Sequence, residues 1–424
     1  MQALTSQTNG SHQTNATRTI PPTMATRPPM MAKYLPMKYL PRELGIRPDY
    51  NKTILSTQAE WHRISRRKEA GMKRRGRLKA AALAALVLGG GAFGGAEEEV
   101  FSVGPVRAAR GTSASGFIDV PAKADPGTRI PVTVIHGAKP GKVLAFVAGT
   151  HGAEYPPILA LHRIREMVDP KTLAGTVLLV HIANLPSFVR RTVYWTPHDW
   201  KNLNRVFPGD ASGTLSQRMA RVLTDEVVKK CDALVDMHCG DANEALIPYS
   251  YWIISGDRAF DARTKDLALA FGIRHIIIDT ERTKDPKDSK YLGNTAVLMG
   301  KPAVTTESGF LGRSDEEDIA RNVQGVLGVM KLYGLIPGRP EPPADPVWID
   351  RYVVVNAGAD GVWEPQAAMG ANVAEGQTVG LLRDYFGRVL EELKAPFAGL
   401  VLYIVGTPPA NKGEPLFEVG RVKK

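Results

Sequence analysis

Cysteine is scarce in this sequence, and its scarcity excludes a disulfide scaffold. The 424 residues contain two, Cys231 and Cys239. The run that joins them, CDALVDMHC, reads as one strand. Eight residues of strand span roughly 26 Å, whereas a disulfide needs Cα atoms within about 7 Å, so the two are not expected to pair. Also missing is a long apolar run. The most apolar stretch, AAALAALVLGGGAFGG, is too short and too rich in glycine for a membrane-spanning helix. A basic surface is missing too, once the charges are located. The formal net charge is +11, but residues 1–79 hold 16 Lys and Arg against 4 Asp and Glu, and the rest of the chain holds 38 against 39. The remainder is nearly neutral, which argues against a phosphate-tracking surface and against nucleic acid as a partner.

The basic N-terminus has its own pattern. Residues 1–71 are rich in Thr, Pro, Gln, Asn and Arg and show no sustained helical or strand period. Met72 is then followed by KRRGRLK, the short apolar run, and Gly94-Gly95-Ala96 before three glutamates. Basic region, short apolar region and small residues at a cleavage point are the order of a secretory signal. The pattern predicts a start at Met72, a signal peptide over 72–96 and a mature protein in the periplasm or outside the cell. On this reading 1–71 is an over-extended reading frame, and no stable membrane span remains after cleavage. The alternatives are a disordered tail ahead of an uncleaved anchor, and a cytoplasmic protein.

From Phe117 to about Leu335 apolar strands alternate with helical stretches. KVLAFVAGT (142–150), TVLLVHIA (176–183), ALVDMH (233–238) and AVTTE (303–307) read as strands. Helices are expected over Pro156–Val168, Leu215–Val228 and Glu316–Tyr333. This alternation predicts an α/β fold with a mostly parallel, mixed sheet and helices on both faces. The catalytic domain is expected over 97–336. A Pro-rich linker (337–346) leads to a small all-β domain over 347–424, whose runs YVVVNAG, GVWEP, GQTVGLL, PFAGLVLYIV and PLFEVG are punctuated by glycine turns. That domain resembles biotinyl or lipoyl carrier domains in the run APFAGLVLYI. The turn DYFGRV has no lysine to carry a cofactor, so a structural or pocket-covering role is expected instead.

The candidate chemistry lies at strand ends. Strand 142–150 runs directly into His151-Gly152-Ala153-Glu154. Residues three apart at a helix entrance point the same way, so imidazole and carboxylate can converge on one ion. His238 ends the strand ALVDMH. Two histidines and one glutamate leave a fourth position for water, as in catalytic zinc sites of the carboxypeptidase class. Each piece alone is weak: HxxE occurs by chance, and a lone histidine is usually structural. Asp236, on the same strand face as His238, is either the acceptor that fixes the imidazole tautomer or an ordinary salt-bridge or cap residue. Cys239 should face away from the metal. Asn204 and Arg205 in NLNRVFPG offer donors for a carboxylate or oxyanion. Glu307 ends an apolar strand, where a carboxylate must face a crevice, and it suits a general base. Arg191 and Tyr194 lie on the loop leading to Asn204 and can line a substrate pocket. His198 reads as an exposed loop residue, and His162 and His181 as packing residues.

Together, HGAE, NLNRVFPG, DMHCG and TTESG occur in the order that resembles the succinylglutamate desuccinylase/aspartoacylase family, a branch of the zinc carboxypeptidase-like hydrolases, over roughly Gly116–Leu335. The resemblance implies Zn2+ held by His151, Glu154 and His238. It implies a substrate carboxylate or carbonyl held by Asn204 and Arg205, and Glu307 as the catalytic acid/base. The sequence departs from the family in three ways. Asn202 stands where Asp is usual, Val193 where a second arginine is frequent, and the export signal contrasts with cytoplasmic members. The expected function is metal-assisted hydrolysis of an amide in an N-acyl amino acid or a similar small carboxylate. An exported carboxypeptidase or cell-wall peptide amidase acting on short peptides, and a non-catalytic ligand-binding homologue, remain the alternatives.

Overall fold

The computed structural model describes residues 99–423, and the expected extension and signal peptide at 1–96 lie outside them. Among the described residues no helix is long and apolar enough to cross a membrane. The first elements are a hairpin of β1 (Val100–Val103) and β2 (Val106–Ala109). Then come β3 (Thr112–Val120), β4 (Thr128–His136) and β5 (Lys139–Ala148), which runs into helix α1 (Tyr155–Met167). β6 (Ala174–Val180), α2 (Leu185–Arg190), α3 (Leu215–Leu223) and β7 (Ala233–His238) follow. The α/β region is completed by β8 (Glu244–Leu246), β9 (Tyr249–Ile253), α4 (Arg258–Phe271), β10 (His275–Asp279), α5 (Leu292–Leu298), β11 (Ala303–Glu307) and α6 (Glu316–Leu332).

The central sheet is mixed, with helices on both faces. Strands β6, β5, β7 and β11 lie side by side in parallel. β9 runs against β11, and β10 is parallel to β9. On the other side β4 and β3 pair antiparallel. Successive side chains of a strand point to opposite faces, and β5 shows the result. Leu144, Phe146 and Ala148 pack with Ile158, Leu161 and Ile164 of α1 and Val326 and Met330 of α6. Ala145 and Val147 face the opposite core, with Leu215, Met219 and Leu223 of α3 and Leu292 and Ala296 of α5. Burial on both faces explains why these strands read as unbroken apolar runs. Each fully buried Leu or Phe contributes roughly 1.5–3 kcal/mol.

Several elements exceed the sequence pattern, β9, β10 and α4 among them. β9 and β10 are short (YSYWI, HIIID), and α4 is marked only at its ends. There, Asp257 accepts the Ala259 and Phe260 amides, and Gly272 turns left-handed with φ 86. The expected helix over Leu215–Val228 is α-helical only to Leu223 and continues as a π-helical turn over Thr224–Val228.

The C-terminal region is all β: β12 (Val347–Asn356), β13 (Gly361–Pro365), β14 (Asn372–Val373), β15 (Thr378–Arg383), β16 (Val389–Lys394), β17 (Gly399–Val405), β18 (Pro409–Ala410) and β19 (Pro415–Val422). It is hydrogen-bonded into the α/β sheet. β12 runs parallel to β10, and β19, β17 and β14 extend the same sheet beyond it, while β8 returns to pair with β17. The other four strands form a second sheet in the order β16-β15-β13-β18. Trp363 stacks on Phe417 in the core beneath it, and its indole N–H donates to Val405 O at 2.8 Å.

Candidate metal centre and active-site cavity

β5 stops at Ala148, His151 follows within three residues, and Glu154 is the N-cap of α1, with Pro156 in its first turn. Proline fits there because the first N–H groups of a helix have no partner inside it. Gly152 is required for space. A Cβ on it would lie 2.1 Å from the Phe188 nitrogen, because α2 packs against this backbone, and the Gly152 N–H donates to Ser187 Oγ at 3.1 Å. His238 arrives from the end of β7 on the same sheet face as Asp236, since the two are separated by one residue.

These segments bring His151, Glu154 and His238 together, all buried, with donor atoms within 4.8 Å of one another. His151 Nδ1 lies 2.7 Å from one Glu154 oxygen and His238 Nδ1 2.8 Å from the other. The far nitrogens are anchored: His151 Nε2 is 3.0 Å from Asn202 Oδ1, and His238 Nε2 is 3.0 Å from Asp236 Oδ1. An imidazole that donates Nε2–H outward keeps the Nδ1 lone pair free to ligate, and Asn202 and Asp236 each place an acceptor oxygen at Nε2. Burial alone would raise Glu154, but the two imidazoles beside it hold it down at about 2, so it is ionised. A buried His2Glu set of this kind fits a divalent ion with zinc-like preferences.

Around the cluster is a cavity of about 880 Å³. Glu307 lies in its wall, directly across from His238 in the parallel register of β11 and β7. Its Oε2 has no hydrogen-bond partner, and burial holds the carboxyl well above its ordinary range. Arg205 borders the cavity, stacked over the Tyr291 ring at 4.7 Å with Nη1 donating to Asn204 O. Tyr194, with φ 58, turns its ring edge onto His151 at 5.9 Å and donates its hydroxyl to Glu244 at 2.8 Å.

Other residues singled out in the sequence sit differently. Asn204 lines the cavity but is engaged by the protein: Nδ2 lies 3.2 Å from His238 Nε2, and Oδ1 accepts the Leu292 amide at 2.9 Å. Arg191 is exposed, at the left-handed C-cap of α2 with φ 55, and outside the cavity wall. His198 is exposed. His181 is buried, 2.8 Å from Thr133 Oγ1, and stands 5.2 Å ring to ring from His162. Both cysteines are free and buried, and Cys239 Sγ points to Gly240 O rather than into the cluster.

Several cavity residues escaped the sequence pattern. Asn202 mattered there only as a departure from the family, yet it holds His151. Arg282 follows β10, a strand the sequence analysis did not identify. It pairs with Asp279 and stacks between Tyr251 and Tyr291 at 5.0 and 4.0 Å. Glu418 interrupts the apolar run PLFEVG as Glu307 interrupts its own strand, a signal that was available. Tyr352, Tyr403 and Glu418 show that the C-terminal strands form part of the cavity wall.

The profile of the succinylglutamate desuccinylase/aspartoacylase catalytic domain matches residues 140–333. N-alpha-acetyl-L-2,4-diaminobutyric acid deacetylase of Halomonas elongata is 31% identical over 280 residues, 63% of this chain and 79% of that protein. The structure of a succinylglutamate desuccinylase/aspartoacylase from Rhodobacter sphaeroides superposes with TM-score 0.65 at 26% identity, covering 74% of this chain and 97% of that one. The product-bound ectoine utilization protein of Ruegeria pomeroyi gives the same TM-score and identity, with 74% and 96% covered. The match in sequence and in fold extends through the strands that carry the His-Glu-His cluster, and this chain belongs to the succinylglutamate desuccinylase/aspartoacylase family.

Proposed function

We propose that this protein is a zinc-dependent deacylase that hydrolyses the amide bond of an N-acyl amino acid. The observation that carries the reading is the convergence of His151, Glu154 and His238 at the cavity floor, each imidazole oriented by a separate acceptor. The relative from Halomonas elongata is a deacetylase of an N-acetyl amino acid, which supports the substrate class.

Zinc held by those three residues would polarise the amide carbonyl and acidify the attacking water. The protein's own groups do the rest. Glu307, with an oxygen in the cavity wall that has no partner among the described residues, would accept the water proton and return it to the departing amine, a bound cation beside it keeping its carboxyl charged. Arg205 presents a planar fork to the substrate carboxylate, held in place by Tyr291 beneath it. Asn202 and Asp236 keep the imidazoles oriented. Tyr194 packs edge-on against the His151 ring.

The test is to quantify metal in the purified protein and assay N-acyl amino acids beside short peptides, with Glu307→Gln in parallel. About one zinc per chain and deacylation lost in the variant are expected. Release of C-terminal residues from peptides without deacylation would move the reading to a peptidase. Metal without turnover of any substrate would move it to a binding protein, and absence of bound metal would overturn it.

A further inference from the structure

The loop that follows α2 is held in a costly conformation. Three of its non-glycine residues, Arg191, Tyr194 and Trp200, take left-handed backbone with φ 55, 58 and 50. A bulky side chain adopts that region only where its surroundings impose it. Here the bonds that impose it are plain. The Tyr194 N–H donates to Asp241 Oδ2 at 2.9 Å and its hydroxyl to Glu244 at 2.8 Å. The Thr196 N–H donates to Lys201 O and the Trp200 N–H to Thr196 O, both at 2.9 Å, so residues 196–201 close into a ring. Asp199 ties that ring to α3, accepting the Ser216 N–H at 2.8 Å and its hydroxyl at 2.9 Å. What the fixed loop displays is apolar. Trp195 and Trp200 line the cavity, yet they are 39% and 68% exposed. Trp200 therefore costs the folded chain twice, in backbone strain and in uncovered indole surface.

We propose that Trp200, together with Trp195, receives the acyl group of the substrate, and that this group is apolar and larger than acetyl, a medium-length alkyl chain or an aromatic ring. The inference rests on the deacylase reading for the position of the scissile amide. An N-acyl amino acid carries its carboxylate on the amine half, and Arg205 is the group placed for that charge. The half left for an uncharged aromatic rim is the acyl group. The rim is also continuous with the cluster where the carbonyl would sit. Trp195 pairs with Asn202 in an isolated β-bridge, and Asn202 Oδ1 lies 3.0 Å from His151 Nε2. Tyr194, the residue before Trp195, meets the His151 ring edge-on at 5.9 Å. From there the loop leads outward to the exposed Trp200. The ammonium of the next residue, Lys201, is engaged by Gln217 Oε1 at 3.3 Å. The cavity of about 880 Å³ stands near the upper end of the roughly 300–1,000 Å³ usual for small-molecule sites, so a longer acyl group has room. An apolar chain laid on the indole takes the surfaces of both out of water.

The experiment compares acetyl, hexanoyl and benzoyl groups on the same amine, in series built on L-alanine and L-glutamate, for the zinc-loaded protein and for Trp200→Ala and Trp200→Phe. In whichever series is hydrolysed, kcat/KM for the hexanoyl and benzoyl substrates should exceed that for acetyl by roughly 10- to 100-fold, carried mainly by KM. Trp200→Ala should erase the difference and leave the acetyl rate little changed, while Trp200→Phe should keep most of it. Equal rates, a preference for acetyl, a preference that survives in Trp200→Ala, or a variant that lowers all three acyl groups alike would overturn the proposal. The wild-type preference decides the matter alone should Trp200→Ala fail to fold. Hydrolysis of none of the substrates would count against the deacylase reading and not against the rim. Iodide quenching of indole fluorescence then decides: protection by N-hexanoyl-L-alanine and not by N-acetyl-L-alanine, absent from Trp200→Phe, supports the acyl site, and equal quenching overturns it.

Discussion

His151 Nε2 lies 3.0 Å from Asn202 Oδ1, and the same oxygen accepts the Asn204 backbone N–H at 2.8 Å. One amide oxygen therefore orients an imidazole of the candidate metal cluster and pins the loop that carries Asn204 and Arg205. His238 is held by the carboxylate of Asp236 instead, so the two histidines have unlike supports. Asn202→Ala should lower zinc affinity roughly 10- to 100-fold, and Asn202→Asp should keep or exceed the wild-type affinity, because a carboxylate makes the ring more basic. Competition with a chromogenic chelator measures both. An unchanged affinity in the alanine variant would show that the imidazole is oriented by packing alone.

Glu307 and His238 face each other across adjacent parallel strands, which puts the carboxylate beside the cluster and outside it. Glu307→Gln should therefore leave the metal content intact while reducing kcat by roughly 10²–10⁴-fold. Metal analysis and steady-state kinetics on one preparation check this. Retained activity would assign the proton transfer to another group.

Arg205 stacks on Tyr291 and pairs with no carboxylate among the described residues, so the donors it does not give to Asn204 O are available to the substrate. Arg205→Lys keeps the charge but loses the planar pair of donors, and KM should rise roughly 10- to 100-fold. A change confined to kcat would place the side chain at the developing oxyanion rather than at the carboxylate.

Glu418 also predicts a pH dependence of stability. Burial pushes its carboxyl from 4.5 up to about 8, so the folded chain keeps a proton that the unfolded chain has released between those values. Its contribution is complete below pH 4.5 and is lost as pH rises towards 8, by about 5 kcal/mol at most. Urea unfolding of metal-free protein should show Glu418→Gln gaining stability over wild type as pH rises from 5 to 8. A constant difference would mean that Glu418 is ionised throughout.

Much of the site was legible before the fold because its parts are local. The HGAE turn, the strand ALVDMH and the strand AVTTE each join a recognisable element to one or two polar residues at its carboxyl end. The strands β7 and β11 fall on the expected boundaries, since apolar runs bounded by turns mark strands buried on both faces. The family resemblance rested on these same segments. β9 and β10 were not read as strands, although β11 of the same length was, and with β10 went the position of Arg282.

Sequence alone determined which residues could hold an ion, because ligand chemistry is carried by residue type and by spacing along the chain. Tertiary structure alone decided what those residues do for one another. Asn202 supports His151 from 51 residues away, and Asn204 is engaged by Leu292. The parallel pairing of β12 with β10 carries the C-terminal strands into the central sheet, and Glu418 reaches the cavity on them. Such relationships depend on sheet order and loop packing, which join segments remote in the chain and leave no local pattern in the sequence.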